Sequence, residues 1–144
     1  MPGILVGIDG SGHSQRALEW AMKEAVLRHV PLTVLAVHQA VTGWGGAEPY
    51  PGDQALIDET GKKAKAETDK VLASLEGPHP ESVTVRSVQG FPAEEIISAG
   101  ADADLIVLGS HGAGSWSRLM GSTATKVAHK ATVPVLIVPF EQRG

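Results

Sequence analysis

Residues 105–139, LIVLGSHGAGSWSRLMGSTATKVAHKATVPVLIVP, leave this chain few folds to choose from. They read as a buried strand over 105–108, a glycine-rich loop over 109–121, a helix over about 122–131 and a second buried strand over 135–138, which together make a compact βαβ unit. A glycine-rich loop set where a strand ends and a helix begins is physically an anion site. Glycines let the backbone approach a ligand closely, and the free N–H groups of the helix's first turn point at whatever sits there. The expected guest is a phosphate.

The preceding residues repeat the same alternation. Gly3, Ile4, Leu5, Val6, Gly7 and Ile8 form an apolar run closed by Asp9, the mark of a strand buried on both faces of a parallel sheet. Turn and cap residues, Gly10, Ser11, Gly12 and Ser14, lead into a helix over about 13–29 with Ala17, Leu18, Ala21, Met22 and Ala25 as its apolar stripe, stopped by Pro31. A second β-branched run over 32–37 ends at His38. Residues 39–52 hold five glycines or prolines between Gly43 and Pro51 and show no periodicity, so they read as a surface loop. At about fourteen residues such loops are usually functional or disordered. Its Trp44 and Tyr50 either close over a ligand or simply pack on the surface.

From 53 to 76 the pattern is a long amphipathic helix. Ile57, Gly61, Ala64, Thr68, Val71 and Leu75 share one face, and Lys62, Lys63, Lys65, Glu67, Asp69 and Lys70 lie largely off it, as a solvated face. Residues 83–88 make a weaker strand with polar residues inside it, as an edge strand should have. Gly90, Phe91 and Pro92 then open a short helix reaching about Gly100. The order is βαβαβαβαβ, with every crossover long enough for a parallel, right-handed connection. The expected fold class is therefore α/β: an open, doubly wound, Rossmann-like five-stranded parallel sheet with four helices, one domain over residues 1–144.

Composition narrows the function classes. With 12 Lys and Arg against 16 Asp and Glu the formal charge is −4, and no basic run exceeds Lys62-Lys63. That weighs against sequence-independent nucleic-acid binding, as does an aromatic content of 4%, too low for base-stacking platforms. No apolar run approaches the ~20 residues that span a bilayer, and the N-terminus lacks a basic n-region, so a cytoplasmic location is expected. Without cysteine there is no disulfide or thiolate zinc site. The six histidines show no paired metal spacing, no serine sits in a G-x-S-x-G elbow, and the P-loop G-x4-G-K-[S/T] is missing. Catalytic residues: none are expected.

In open α/β sheets, ligands bind beyond the carboxyl ends of the strands where strand order reverses. If the first and fourth strands are neighbours there, Asp9, the turn after it and the loop from Gly109 to Gly112 meet at one crevice, with His38 at its border. Each residue has an alternative reading. Asp9 either contacts a ligand or caps the following helix, Gly10 either meets a ligand or only turns the chain, and Ser122 either contacts phosphate or only caps its helix. His111 and Arg118 read as solvated loop side chains more readily than as ligands.

At these positions the chain resembles a known family. Gly109, Ser110, His111 and Gly112, followed by Gly121 and Ser122, are similar to the nucleotide-binding signature of the universal stress protein family, G-x2-G-x9-G-[S/T]. Val6 to Ser11 and Ala17 to Ala21 resemble that family's opening, and Pro134 to Pro139 its ending. One departure stands out: residues 113–120 make a spacer of eight where the ATP-binding pattern has nine. Either the loop is one residue tighter with its phosphate groups in place, or its geometry is altered and affinity falls.

The resemblance implies an adenine nucleotide alpha hydrolase-like fold and an ATP site made by Gly7, Ile8, Asp9, Gly10, Ser11, Val37, His38, Leu108, Gly109, Ser110, His111, Gly112, Gly121, Ser122 and Thr123. By that resemblance Asp9 would meet the ribose or help hold the triphosphate's Mg²⁺. The backbone at Val37 would meet the adenine edge, and the glycines and Ser122 would close on the phosphates. It also implies a homodimer through Val135, Leu136, Ile137 and Val138, an apolar strand that needs cover if it lies at a sheet edge. Three functions follow: an ATP-binding regulator of stress or metabolic state, a nucleotide-independent dimeric interaction module kept in play by the short spacer, and a slow ATPase. A phosphoacceptor receiver domain is disfavoured, because its acid should end the third strand, where this chain has Val88, Gln89 and Gly90.

Overall fold

A computed structural model of the chain describes residues 3–8, 15–39, 53–109 and 115–139. Its elements run β1 (Ile4–Ile8), α1 (Gln15–Arg28), β2 (Leu32–Gln39), α2 (Asp53–Ser74), β3 (Val83–Gly90), α3 (Pro92–Ala99), β4 (Leu105–Gly109), α4 (Ser115–Lys130) and β5 (Val135–Val138). The five strands form one sheet in the order β3-β2-β1-β4-β5, all neighbours parallel. All five residues of β1 are buried, because it lies at the centre with helices on both sides. Strand order reverses between β1 and β4, as the crevice argument requires.

Two apolar layers sandwich the sheet. On one face α1 contributes Ala17, Leu18, Ala21, Met22 and Ala25, and α2 contributes Ala64 and Val71, against Ile4, Val6, Ile8, Val34 and Val107. On the other, Ala93 and Ile96 of α3 and Ala124 and Val127 of α4 pack on Leu5, Leu35, Val37, Ile106 and Leu108. Both strands expected at edges are there. β3 alternates half-buried with exposed residues through Val83, Thr84, Val85 and Arg86, while β5 shows Ile137 to solvent. Short helix-capping geometry does part of the work: α1 ends with His29 in the left-handed region (φ 56°), where the His29 N–H donates to the Val26 carbonyl and the Val30 N–H to the Ala25 carbonyl. That pair of bonds is a Schellman close, formed two residues before Pro31.

Two expectations are corrected. Helix α4 begins at Ser115, not near Ser122, so Gly121 and Ser122 stand inside the helix and not at its first turn. Residues 115–120 contain neither proline nor glycine to stop a helix, and Leu119, Met120, Thr123, Ala124 and Val127 follow helical spacing. One interior glycine costs about 1 kcal/mol, which a packed helix tolerates. In α2, Glu67 is only 7% exposed and not on the solvated face. It lies three residues after Ala64 and four before Val71, both buried, and so falls on the inward flank. Lys63 and Lys65 do face solvent, in i,i+4 pairs with Glu59 and Asp69.

Candidate functional site

The crevice is built by strand ends. Val6 is level with Val34 and with Val107, and two residues further on β1 and β4 end at Ile8 and Gly109. β2 carries the wall on beside them: Val37 pairs with Val88, His38 with Gln89 and Gln39 with Gly90. Ile8 is buried in the layer under α1 and α2, and Val37 and Leu108 in the layer under α3 and α4, so both faces of the sheet stay apolar up to this end. His38 and Gly109 are half-buried at its rim. Thr123 is buried on α4 beside Ala124.

The two strand glycines have opposite surroundings. A Cβ on Gly7 would fall 2.9 Å from both the Ile96 Cδ1 and the Leu108 Cδ2, so this glycine lets α3 close on β1. What Gly7 can offer a ligand is therefore its backbone. A Cβ on Gly109 would meet no atom of the described residues within 4 Å. Among the described residues, packing does not demand a glycine there.

Asp9, Gly10, Ser11, Ser110, His111 and Gly112 lie outside the described residues, as do Trp44 and Tyr50. The structure thus brings together Gly7, Ile8, Val37, His38, Leu108 and Gly109 at one end of the sheet. Two further groups at this end carried no signal in the sequence. Arg16, in the first turn of α1, donates from Nη1 to the Pro139 carbonyl at 3.2 Å, tying α1 to the chain just past β5. Glu95, in the first turn of α3, lies directly against Gly90. Among the described residues no group of three or more His, Asp and Glu could hold a metal ion, and Asp9 lies outside them. No helix of the described residues is long and apolar enough to cross a membrane.

Comparison with known proteins agrees with this geometry. The model of the universal stress protein family matches residues 2–139. A universal stress protein of Mycolicibacterium smegmatis is 34% identical over 139 residues, a match covering 94% of this chain and 47% of the relative. The chain spans about half the length of the curated relatives it matches. Among solved structures, a universal stress protein in complex with cAMP aligns with a TM-score of 0.66 at 25% identity, over 96% of both chains. The universal stress protein from Archaeoglobus fulgidus in complex with dAMP aligns with a TM-score of 0.65 at 26% identity, over 96% of this chain and 98% of that one.

Proposed function

The chain belongs to the universal stress protein family, and on that basis we propose that it is an ATP-binding domain reporting stress or metabolic state through its conformation and contacts. The observation that supports this reading is the reversal of strand order between β1 and β4, which brings the ends of β1 at Ile8 and β4 at Gly109 beside the Val37 stretch of β2 at one end of the sheet. A glycine-lined strand end set before a helix takes the phosphates. Two solved relatives held adenine nucleotides, cAMP in one and dAMP in the other. In this reading the Val37 backbone meets the adenine edge, Asp9 meets the ribose or the Mg²⁺ that travels with the triphosphate, and residues 109–112 with Gly121, Ser122 and Thr123 surround the phosphates. The bound ion would supply charge neutralisation on the phosphates and nothing more.

The same reading makes the protein a cytoplasmic homodimer. β5 is the apolar edge of the sheet, whereas the other edge, β3, is blunted by exposed Thr84 and Arg86. An apolar edge strand is the one that gains by pairing with its twin. The sequence offers no residue that is an obvious general base for water, and on that ground hydrolysis is ranked as slow at most.

The test is to denature freshly purified protein and identify the released small molecules by chromatography and mass. Near-stoichiometric ATP or ADP is expected, showing that a spacer of eight residues is tolerated. No released nucleotide, together with no heat of binding when ATP and Mg²⁺ are added back, would leave the nucleotide-independent interaction module in its place.

A further inference from the structure

Helix α3 follows β3 directly and so starts at the carboxyl end of the sheet, and two consecutive residues in its middle, Glu95 and Ile96, touch two strands there. Ile96 reaches β1, where a Cβ on Gly7 would fall 2.9 Å from its Cδ1. Glu95 reaches β3, where a Cβ on Gly90 would fall 2.5 Å from its Oε1, 2.7 Å from its Cγ and 2.9 Å from its Cδ. The Glu95 carboxylate is thus folded back onto the bare backbone of the last residue of β3. Between the two contacts lies β2, whose Val37 is buried in the same apolar layer as Ile96 and whose Gln39 is level with Gly90. The half-buried Glu95 therefore stands against the strand next to β2, at the level of Gln39, two residues beyond the Val37 backbone at which the base edge is proposed to sit.

Glu95 is not needed there for packing, since the apolar contacts of α3 are made by Pro92, Ala93 and Ile96. Its ionised carboxylate only accepts hydrogen bonds. Of the common purines, adenine alone presents an exocyclic amine donor at C6; guanine and hypoxanthine present a carbonyl oxygen there, which a carboxylate repels. We propose that Glu95 reads the base in this site, its carboxylate accepting from the C6 amine and so selecting adenine over 6-oxopurines, with Gly90 keeping clear the space the carboxylate occupies. The inference rests on the nucleotide-binding reading above. A polar group aimed at one substrate hydrogen-bonding group is the device that discriminates best between otherwise similar ligands.

The experiment is calorimetric titration of nucleotide-stripped protein with MgATP and MgITP, for wild type, Glu95→Gln, Glu95→Ala and Gly90→Ala, with circular dichroism and melting recorded on each. Wild type should prefer ATP. Glu95→Ala should lose about tenfold in ATP affinity with ITP affinity unchanged or higher, a selective loss of one charge-assisted hydrogen bond. Glu95→Gln keeps an acceptor oxygen and should stay within about threefold of wild type for ATP. Gly90→Ala leaves every charge in place but displaces the carboxylate, and should reproduce the selective loss. An ATP-to-ITP ratio equal in wild type, Glu95→Ala and Gly90→Ala overturns the role of Glu95 while nucleotide binding stands. Failure of wild type to bind either nucleotide overturns both readings.

Discussion

Gly7 and Gly109 are the same residue type at the ends of neighbouring strands, yet they serve different demands. Gly7 is enclosed by Ile96 and Leu108, whereas no atom of the described residues lies within 4 Å of a Cβ on Gly109. Gly7→Ala should therefore destabilise the protein by about 1–3 kcal/mol, the usual cost of forcing a methyl group into a packed core. Chemical denaturation would read this as a lower midpoint with an unchanged slope. Gly109→Ala should leave the midpoint of the nucleotide-free protein nearly unchanged and lower ATP affinity, because the added methyl occupies the ligand's approach. Equal effects of the two substitutions on stability would remove the distinction on which the site rests.

Among the elements, α1 and α4 each carry a residue that propensity alone would not place where it is. His29 closes α1 in the left-handed region at φ 56°, a conformation that costs an L-residue with a Cβ about 1–2 kcal/mol. His29→Gly should recover about 1 kcal/mol and raise the melting temperature, since glycine is the preferred residue at this position. Gly121 is the converse case, a glycine inside the sixteen-residue α4. Gly121→Ala should stabilise the nucleotide-free protein by about 1 kcal/mol. If the glycine is kept so that phosphate can approach, the same change weakens ATP binding, and the two measurements will move in opposite directions. Sequence periodicity identified both helices but set the start of α4 seven residues late. A glycine-rich run reads as loop by composition, whereas the backbone of α4 is helical from Ser115.

At the level of the whole molecule, the doubly wound sheet exposes two edges of opposite character. β3 carries Thr84 and Arg86 at its surface, while β5 presents Ile137, 38% exposed, between Pro134 and Pro139. If β5 is the pairing edge, Ile137→Lys should shift the protein from twice the chain mass to the chain mass in sedimentation equilibrium, with the β-sheet signal in circular dichroism retained. A lysine on an edge strand is the usual device against such pairing. A wild-type protein that sediments as a monomer at all concentrations would remove the dimer from the proposal.

Residue order alone was enough for the strand and helix sequence and for the parallel doubly wound class. Those properties are written in local periodicity: runs of Val, Ile and Leu buried on both faces, apolar stripes every three to four residues, and glycines clustered after strands. Periodicity states which face of an element is apolar but not which atom of a neighbour meets it. The inward turn of Glu67 beside Ala64 and Val71, the enclosure of Gly7 by α3 and the fold of the Glu95 carboxylate onto Gly90 are all settled by how elements pack. Each depends on how far a helix slides along and above a strand, a distance settled only when the layers pack, and so each was decided by the tertiary structure.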